Sequence, residues 1–169
     1  MSMKMLTIIR HAKAEVAGSS QSDFDRALTK RGTKDMRLIV PAIASSKVPV
    51  DWILSSPAAR TRKTTEILQE SLGFSGTIQW EESAYLADAE TWLALLSKVP
   101  PEVHHIVVVG HNPGVANLVA GLTTGSPPRL NLHFPTASVA NLELEIFWWN
   151  QIRWGCGQLR WLITPKILR

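Results

Sequence analysis

Leu6-Thr-Ile-Ile-Arg-His-Ala-Lys13 is the stretch on which the fold turns. Together with Met5 it forms a short apolar run with β-branched residues that stops abruptly at the polar pair Arg10-His11. Such a run predicts a buried strand over 5–9. Two later runs repeat the pattern. Residues 50–54 are apolar but for Asp51 and lead into Ser55-Ser56-Pro57, and residues 105–109 form the strongest buried-strand signal and end at Gly110-His111-Asn112.

Helical segments fall between these strands. Thr29 is a suitable N-cap for a helix over 30–45, with Pro41 expected to kink it or end it early. Ser56 followed by Pro57 predicts a capped helix from 57 to 72, stopped by Gly73. Residues 77–80 predict a short strand, 90–97 a helix that starts at Asp88 at the earliest, and 113–122 another helix. Pro100-Pro101 breaks the chain, and 15–25 and 123–135 read as loops. Residues 138–147 and 158–163 predict two strands around a turn at Gly155-Cys156-Gly157. The order β-α-β-α-β-α-β-α-β-β argues for one α/β domain over 1–169. A three-layer α/β/α sandwich is expected, its central sheet mostly parallel with an antiparallel C-terminal edge.

Bulk properties agree with one ordinary domain. The 169 residues are 45% hydrophobic and 19% charged, which excludes a disordered chain. A single cysteine, Cys156, forbids an intrachain disulfide and suits a cytoplasmic location. The N-terminal apolar run is too short for a signal peptide, and no run approaches a membrane span, so neither secretion nor membrane insertion is expected. The formal charge of +4 favours anionic ligands without choosing among them.

In an open α/β sheet, ligands bind beyond the carboxyl ends of the strands. Arg10, His11, Arg60 and His111 all lie at or just after such ends, so two histidines and two arginines are expected in one pocket. The set suits phosphoryl chemistry. Guanidinium forks grip two oxygens at once and neutralise the equatorial charge. A neutral imidazole is a nucleophile that needs no separate base, and nearby guanidinium charges keep it neutral. A covalent phosphohistidine would divide hydrolysis into two easier steps, with no metal or other cofactor called for. His104, His105 and His133 show no metal-ligand spacing and read as structural or surface residues.

Ile9-Arg10-His11-Ala12 resembles the Arg-His-Gly signature of the histidine phosphatase superfamily, which includes the cofactor-dependent phosphoglycerate mutases. Four further segments resemble the SixA-type phosphohistidine phosphatases within it: Arg26-Ala-Leu-Thr-Lys-Arg-Gly32, Ser55-Ser-Pro-Ala-Ala-Arg-Thr-Arg-Lys-Thr64, Val109-Gly-His-Asn-Pro-Gly114 and Pro165-Lys-Ile-Leu168. The likeness is weakest over 70–103. It implies a phosphoglycerate mutase-like fold with His11 as nucleophile. Arg10 and Arg60 would bind phosphate, His111 would donate to it, and Arg26 would be an additional phosphate-binding arginine. Asn112 and residues 136–138 would line the pocket. The implied substrate is a phosphohistidine on a signalling or phosphotransfer protein, with phosphate or another small oxyanion in the site.

Two departures from the resemblance stand out. Ala12 replaces the signature glycine, which costs little if its φ is negative. Many relatives carry a proton-donating acid after the third strand; Glu81, Glu82 and Asp88 are the candidates here. Lack of a positioned acid would favour a phosphohistidine leaving group over an alkoxide. Two other readings stay open: a small-molecule phosphomonoesterase of the same superfamily, and a module that recognises phosphate without hydrolysis. Trp148, Trp149, Trp154 and Trp161, interleaved with Arg153 and Arg160, suit a hairpin packed on the sheet or a protein contact better than base stacking, so no nucleic-acid partner is expected.

Overall fold

A computed structural model describes residues 2–169. Six strands form one sheet: β1 (Lys4–Arg10), β2 (Trp52–Ser55), β3 (Thr77–Trp80), β4 (His105–Gly110), β5 (Val139–Leu144) and β6 (Gly157–Ile163). Their spatial order is β3-β2-β4-β1-β5-β6. Strands β1 to β4 run parallel, and β5 and β6 add an antiparallel edge. The helices are α1 (Lys30–Ala44), α2 (Ala59–Leu72), α3 (Ala89–Leu96), α4 (Gly114–Thr124) and the single turn α5 (Pro165–Leu168).

Alternation along the strands divides the core into two layers. Leu6 and Ile8 of β1 and Ile106 and Val108 of β4 face Trp92 and Leu96 of α3 and Val115 and Val119 of α4. Ile9, Val107 and Val109 face the other way, against Met36 and Ile39 of α1 and Ile67 and Leu68 of α2. The result is the expected α/β/α sandwich. A polar seam also crosses the sheet. Buried His105 meets Thr7 at 2.8 Å, and Asn141 donates to Thr7 at 3.0 Å.

Helix boundaries show where local signals were overridden. The Thr29 hydroxyl accepts the Gly32 amide and opens α1 as expected. Pro41 does not end α1 early: it lies in the last turn, where the helix closes at Ala44 and the Ser45 amide bonds the Pro41 carbonyl. Helix α2 starts at Ala59, not Pro57, and Ser56 is not its N-cap. Asp88 caps α3 through the Thr91 amide. Strand β5 ends three residues early: one further ladder bond joins the Glu145 amide to the Cys156 carbonyl, and the Ile146 amide then turns back to the Leu144 carbonyl at 2.8 Å.

The tryptophans mostly serve packing. Trp149 is buried, with its indole N–H on the Val103 carbonyl at 2.8 Å. Trp154 and Trp161 pack against the two core layers, and Trp148 is exposed. Among the described residues, no helix is long and apolar enough to cross a membrane.

Candidate active site

Register builds the site. The parallel pairing of β1 with β4 sets Arg10 opposite Gly110, so the next residue on each strand, His11 and His111, emerges side by side. The His11 amide bonds the Gly110 carbonyl at 3.0 Å, and the two imidazole centroids are 5.2 Å apart. On the other side of β4, Ser55 pairs with Val109, which brings Ser56 to His111. The Ser56 hydroxyl lies 2.8 Å from Nε2 of His111. Ser56 is therefore spent on orienting a histidine.

Backbone contacts fix the nucleophile candidate further. Nδ1 of His11 lies 2.8 Å from the Ala12 carbonyl, an acceptor only, so Nδ1 carries the proton and Nε2 holds the lone pair. The Ala12 amide is bound by the Thr64 hydroxyl at 3.0 Å. Ala12 is fully buried and is not among the positive-φ residues, which explains why alanine serves there. Ala137, in contrast, adopts φ 60° and gives its amide to the carbonyls of both Arg10 and His11. That amide is thus already engaged and offers no donor to a ligand.

Arg60 projects from the first turn of α2 and is 2% exposed. Its Nε–H points at Nε2 of His11, 3.3 Å away. Its Nη1 donates to the Asp23 carbonyl at 2.7 Å and Nη2 to the Asp23 carboxylate at 3.0 Å. Arg10 and Asn112 both donate to the Phe134 carbonyl, at 3.2 and 2.8 Å. Arg26 reaches the same pocket and binds Asp23 through Nε at 3.0 Å. The loop that carries Asp23 and Arg26 is pinched shut by a bridge between Ala14 and Leu28 and by the Glu15 amide on the Ala27 carbonyl.

Arg10, His11, Arg26, Arg60, His111 and Asn112 thus line one pocket of about 330 Å³, together with Lys13, Ala14, Asp23, Leu86 and Thr136. Buried polar atoms without a partner among the described residues include Nε of Arg10, Nδ1 of His111 and Oδ1 of Asn112. A larger cavity of about 530 Å³ lies at the other end of the strands, around Val50, Asp51 and Phe74, and holds no such set.

Burial, with help from Arg60, Arg10 and Arg26, lowers the pKa of His11 to about 4, against the opposing effect of its bond to the Ala12 carbonyl. Burial again leads for His111, lowered to about 3, with His11, Arg60 and Arg10 adding to the effect. Both rings are neutral at pH 7. Asp23 is lowered to about 2, first by the hydrogen bond from the Tyr85 hydroxyl and then by Arg60 and Arg26.

None of the three acid candidates lines the pocket. Glu81 accepts from Ser83, Asp88 caps α3, and Glu82 faces a neighbouring cavity with Phe24 and Tyr85. Sequence reasoning overlooked Asp23 and Tyr85. Asp23 sits in a loop whose composition marks only a turn, and its partners Arg60 and Tyr85 are 37 and 62 positions away. Among the described residues, no three His, Cys, Asp or Glu side chains gather as a metal-binding set.

Comparison with known proteins follows the same lines. The family model of the histidine phosphatase superfamily (branch 1) matches residues 6–91. The phosphohistidine phosphatase SixA of Escherichia coli is 28% identical over 164 residues, covering 96% of this chain and 94% of that protein. A candidate phosphohistidine phosphatase SixA from Agrobacterium tumefaciens superposes with a TM-score of 0.79 at 31% identity, covering 96% of this chain and 99% of that one. A protein histidine phosphatase SixA complexed with tungstate superposes with a TM-score of 0.81 at 27% identity, covering 98% and 99%.

Proposed function

The chain belongs to the histidine phosphatase superfamily and is a phosphatase, and on that basis we propose that it hydrolyses phosphohistidine on a signalling or phosphotransfer protein in the cytoplasm, through a covalent intermediate on His11 and without a metal. The observation that carries this reading is the state of His11. Its proton is committed to the Ala12 carbonyl, its Nε2 lone pair faces the Arg60 guanidinium, and the ring is neutral at pH 7.

The steps follow from that geometry. Nε2 of His11 attacks phosphorus in line, the new N–P bond forms, and the substrate's P–N bond breaks with its electron pair leaving on the substrate imidazole. Arg10, Arg60 and Arg26 supply positive charge to the phosphoryl oxygens. If the Ser56 hydroxyl donates to Nε2 of His111, the proton of His111 resides on Nδ1, a buried donor with no partner of its own, which then serves a phosphoryl oxygen. Water next attacks the phosphorus of phospho-His11, releasing inorganic phosphate and restoring the neutral imidazole.

The leaving group is inferred from the carboxylates. Asp23 is the only one that lines the pocket among the described residues, and it is ionised. An alkoxide would have no acid to protonate it, whereas a phosphoimidazole protonated on its distal nitrogen leaves as a neutral ring.

The test is a substrate panel on wild type and His11→Ala, comparing a histidine-phosphorylated phosphotransfer protein with sugar phosphates and phosphoglycerate. Expected are preference for the phosphohistidine protein, acid-labile phosphate on the wild-type enzyme during turnover, and no turnover by the variant. Preference for a small monoester would replace the proposed substrate. Tight phosphate binding with no turnover on any substrate would mark a recognition module.

A further inference from the structure

Asp23 has no part in the steps above, yet it is the best-coordinated anion in the pocket. Arg60 gives it Nη1 at 2.7 Å on the carbonyl and Nη2 at 3.0 Å on Oδ2. Arg26 gives Nε at 3.0 Å and Nη2 at 2.9 Å to Oδ1. The Tyr85 hydroxyl also donates to Oδ2. Two of the three arginines suited to a phosphoryl group are therefore directed at this carboxylate.

Fork geometry makes the overlap specific. Nε–H and one Nη–H of a guanidinium form the parallel edge that receives a bidentate oxyanion. On Arg60 these prongs address Nε2 of His11 and Oδ2 of Asp23. A phosphoryl group bonded to Nε2 of His11 needs the same edge for its oxygens. Carboxylate and phosphoryl thus contend for one set of donors.

Burial decides which partner moves. The Arg60 side chain is 2% exposed, whereas that of Asp23 is 45% exposed. Asp23 begins the three-residue turn Asp23–Asp25, which has no buried residue. A buried guanidinium left without an anion is costly, so Arg60 stays and requires a partner. An exposed carboxylate on a surface turn moves into water at little cost.

We propose that Asp23 is a displaceable counter-anion that sets the anion selectivity of the site: it neutralises Arg60 and Arg26 in the free enzyme, yields them to an incoming phosphoryl group, and competes with inorganic phosphate for them afterwards. This rests on reading the pocket as a phosphoryl site. Ligands with a single diffuse charge do not dislodge it, multiply charged phosphoryl groups do, and product is released more readily than from three unopposed arginines.

The test is equilibrium binding, read without turnover. Inorganic phosphate and tungstate are titrated calorimetrically into wild type, Asp23→Asn, Asp23→Ala and Asp25→Asn at pH 7.5 and physiological salt. Removing the competitor at Asp23 tightens both oxyanions by roughly tenfold or more, the size expected for freed charge-assisted hydrogen bonds. Asp25→Asn, which removes equal charge from the same turn, changes affinity less than about twofold because exposed charges are screened. Asp23→Asn is nearly isosteric and keeps an acceptor for Tyr85, so it separates charge from fold. Unchanged or weaker binding in both Asp23 variants overturns the proposal and makes Asp23 a residue that positions the arginines. An equal gain in Asp25→Asn overturns it as well, reducing the effect to long-range charge. Tighter oxyanion binding in the Asp23 variants, together with a wild type that does not turn over phosphohistidine in the substrate panel, would support the counter-anion role and count against the substrate assignment alone.

Discussion

The hydroxyl of Thr64, in the second turn of α2, receives the amide hydrogen of Ala12 at 3.0 Å. The same hydroxyl donates to the Arg60 carbonyl at 2.7 Å, so one side chain ties the residue after His11 to the helix that carries Arg60. Thr64→Val removes both bonds at nearly constant volume and leaves a buried amide unpaired. The expected cost is about 1–3 kcal/mol of stability, read from denaturant midpoints. A fall in kcat beyond that of an equally destabilised core variant would show that the tie also positions the site.

Arg60→Lys keeps the charge and loses the fork. A lysine ammonium cannot serve His11, the Asp23 carbonyl and the Asp23 carboxylate in one plane. Turnover of an aryl phosphate should fall on the order of 100-fold. Retention of most of the activity would remove Arg60 from the phosphoryl cradle.

His11 and His111 should resist protonation well below the ordinary histidine range. Their folded pKa values, about 4 and about 3, lie below the ordinary imidazole value of 6.5, so the unfolded chain binds more protons than the native chain once pH falls below 6.5. Stability contributed by the neutral rings is full above 6.5 and declines as pH falls toward 4 and then 3. Buried His105, lowered chiefly by desolvation, adds to the same acid-side loss. NMR titration of ring protons checks the assignment, and a His11 resonance titrating near 6.5 would contradict it.

Gly114 is required by space. A Cβ at that position would lie 1.8 Å from the Ala87 carbonyl oxygen, a backbone atom that cannot step aside. Gly114→Ala should cost about 3 kcal/mol or more through overpacking where α4 meets the 87–88 backbone. Thermal denaturation reads this directly, and a stability within about 0.5 kcal/mol of wild type would exclude the clash.

Much of the sheet was legible because β1, β2 and β4 each announce themselves twice, by an apolar run and by the polar residues that end it. Arg10, His11, Arg60 and His111 followed from their places at or just after the ends of those three strands. What escaped was set by tertiary contact. Ser56 carries a helix-cap signal, yet His111 claims its hydroxyl, and α2 begins at Ala59. Nothing local distinguishes Asp23 from Asp25; only the fold brings Arg60 and Tyr85 to one and not the other. The spatial order β3-β2-β4-β1-β5-β6 depends on which strands pair, and a run of apolar residues does not specify its neighbour.

The contact between Nδ1 of His11 and the Ala12 carbonyl has a consequence for how this site can drift over generations. The choice of which ring nitrogen stays free is made by a main-chain atom that every codon at position 12 would encode alike. Replacing Ala12 can crowd the nucleophile or shift it, but no exchange of side chain deletes the acceptor itself. Inactivating mutations should therefore accumulate at the guanidinium and imidazole positions, while the identity of the reacting atom remains outside the reach of single-residue substitution.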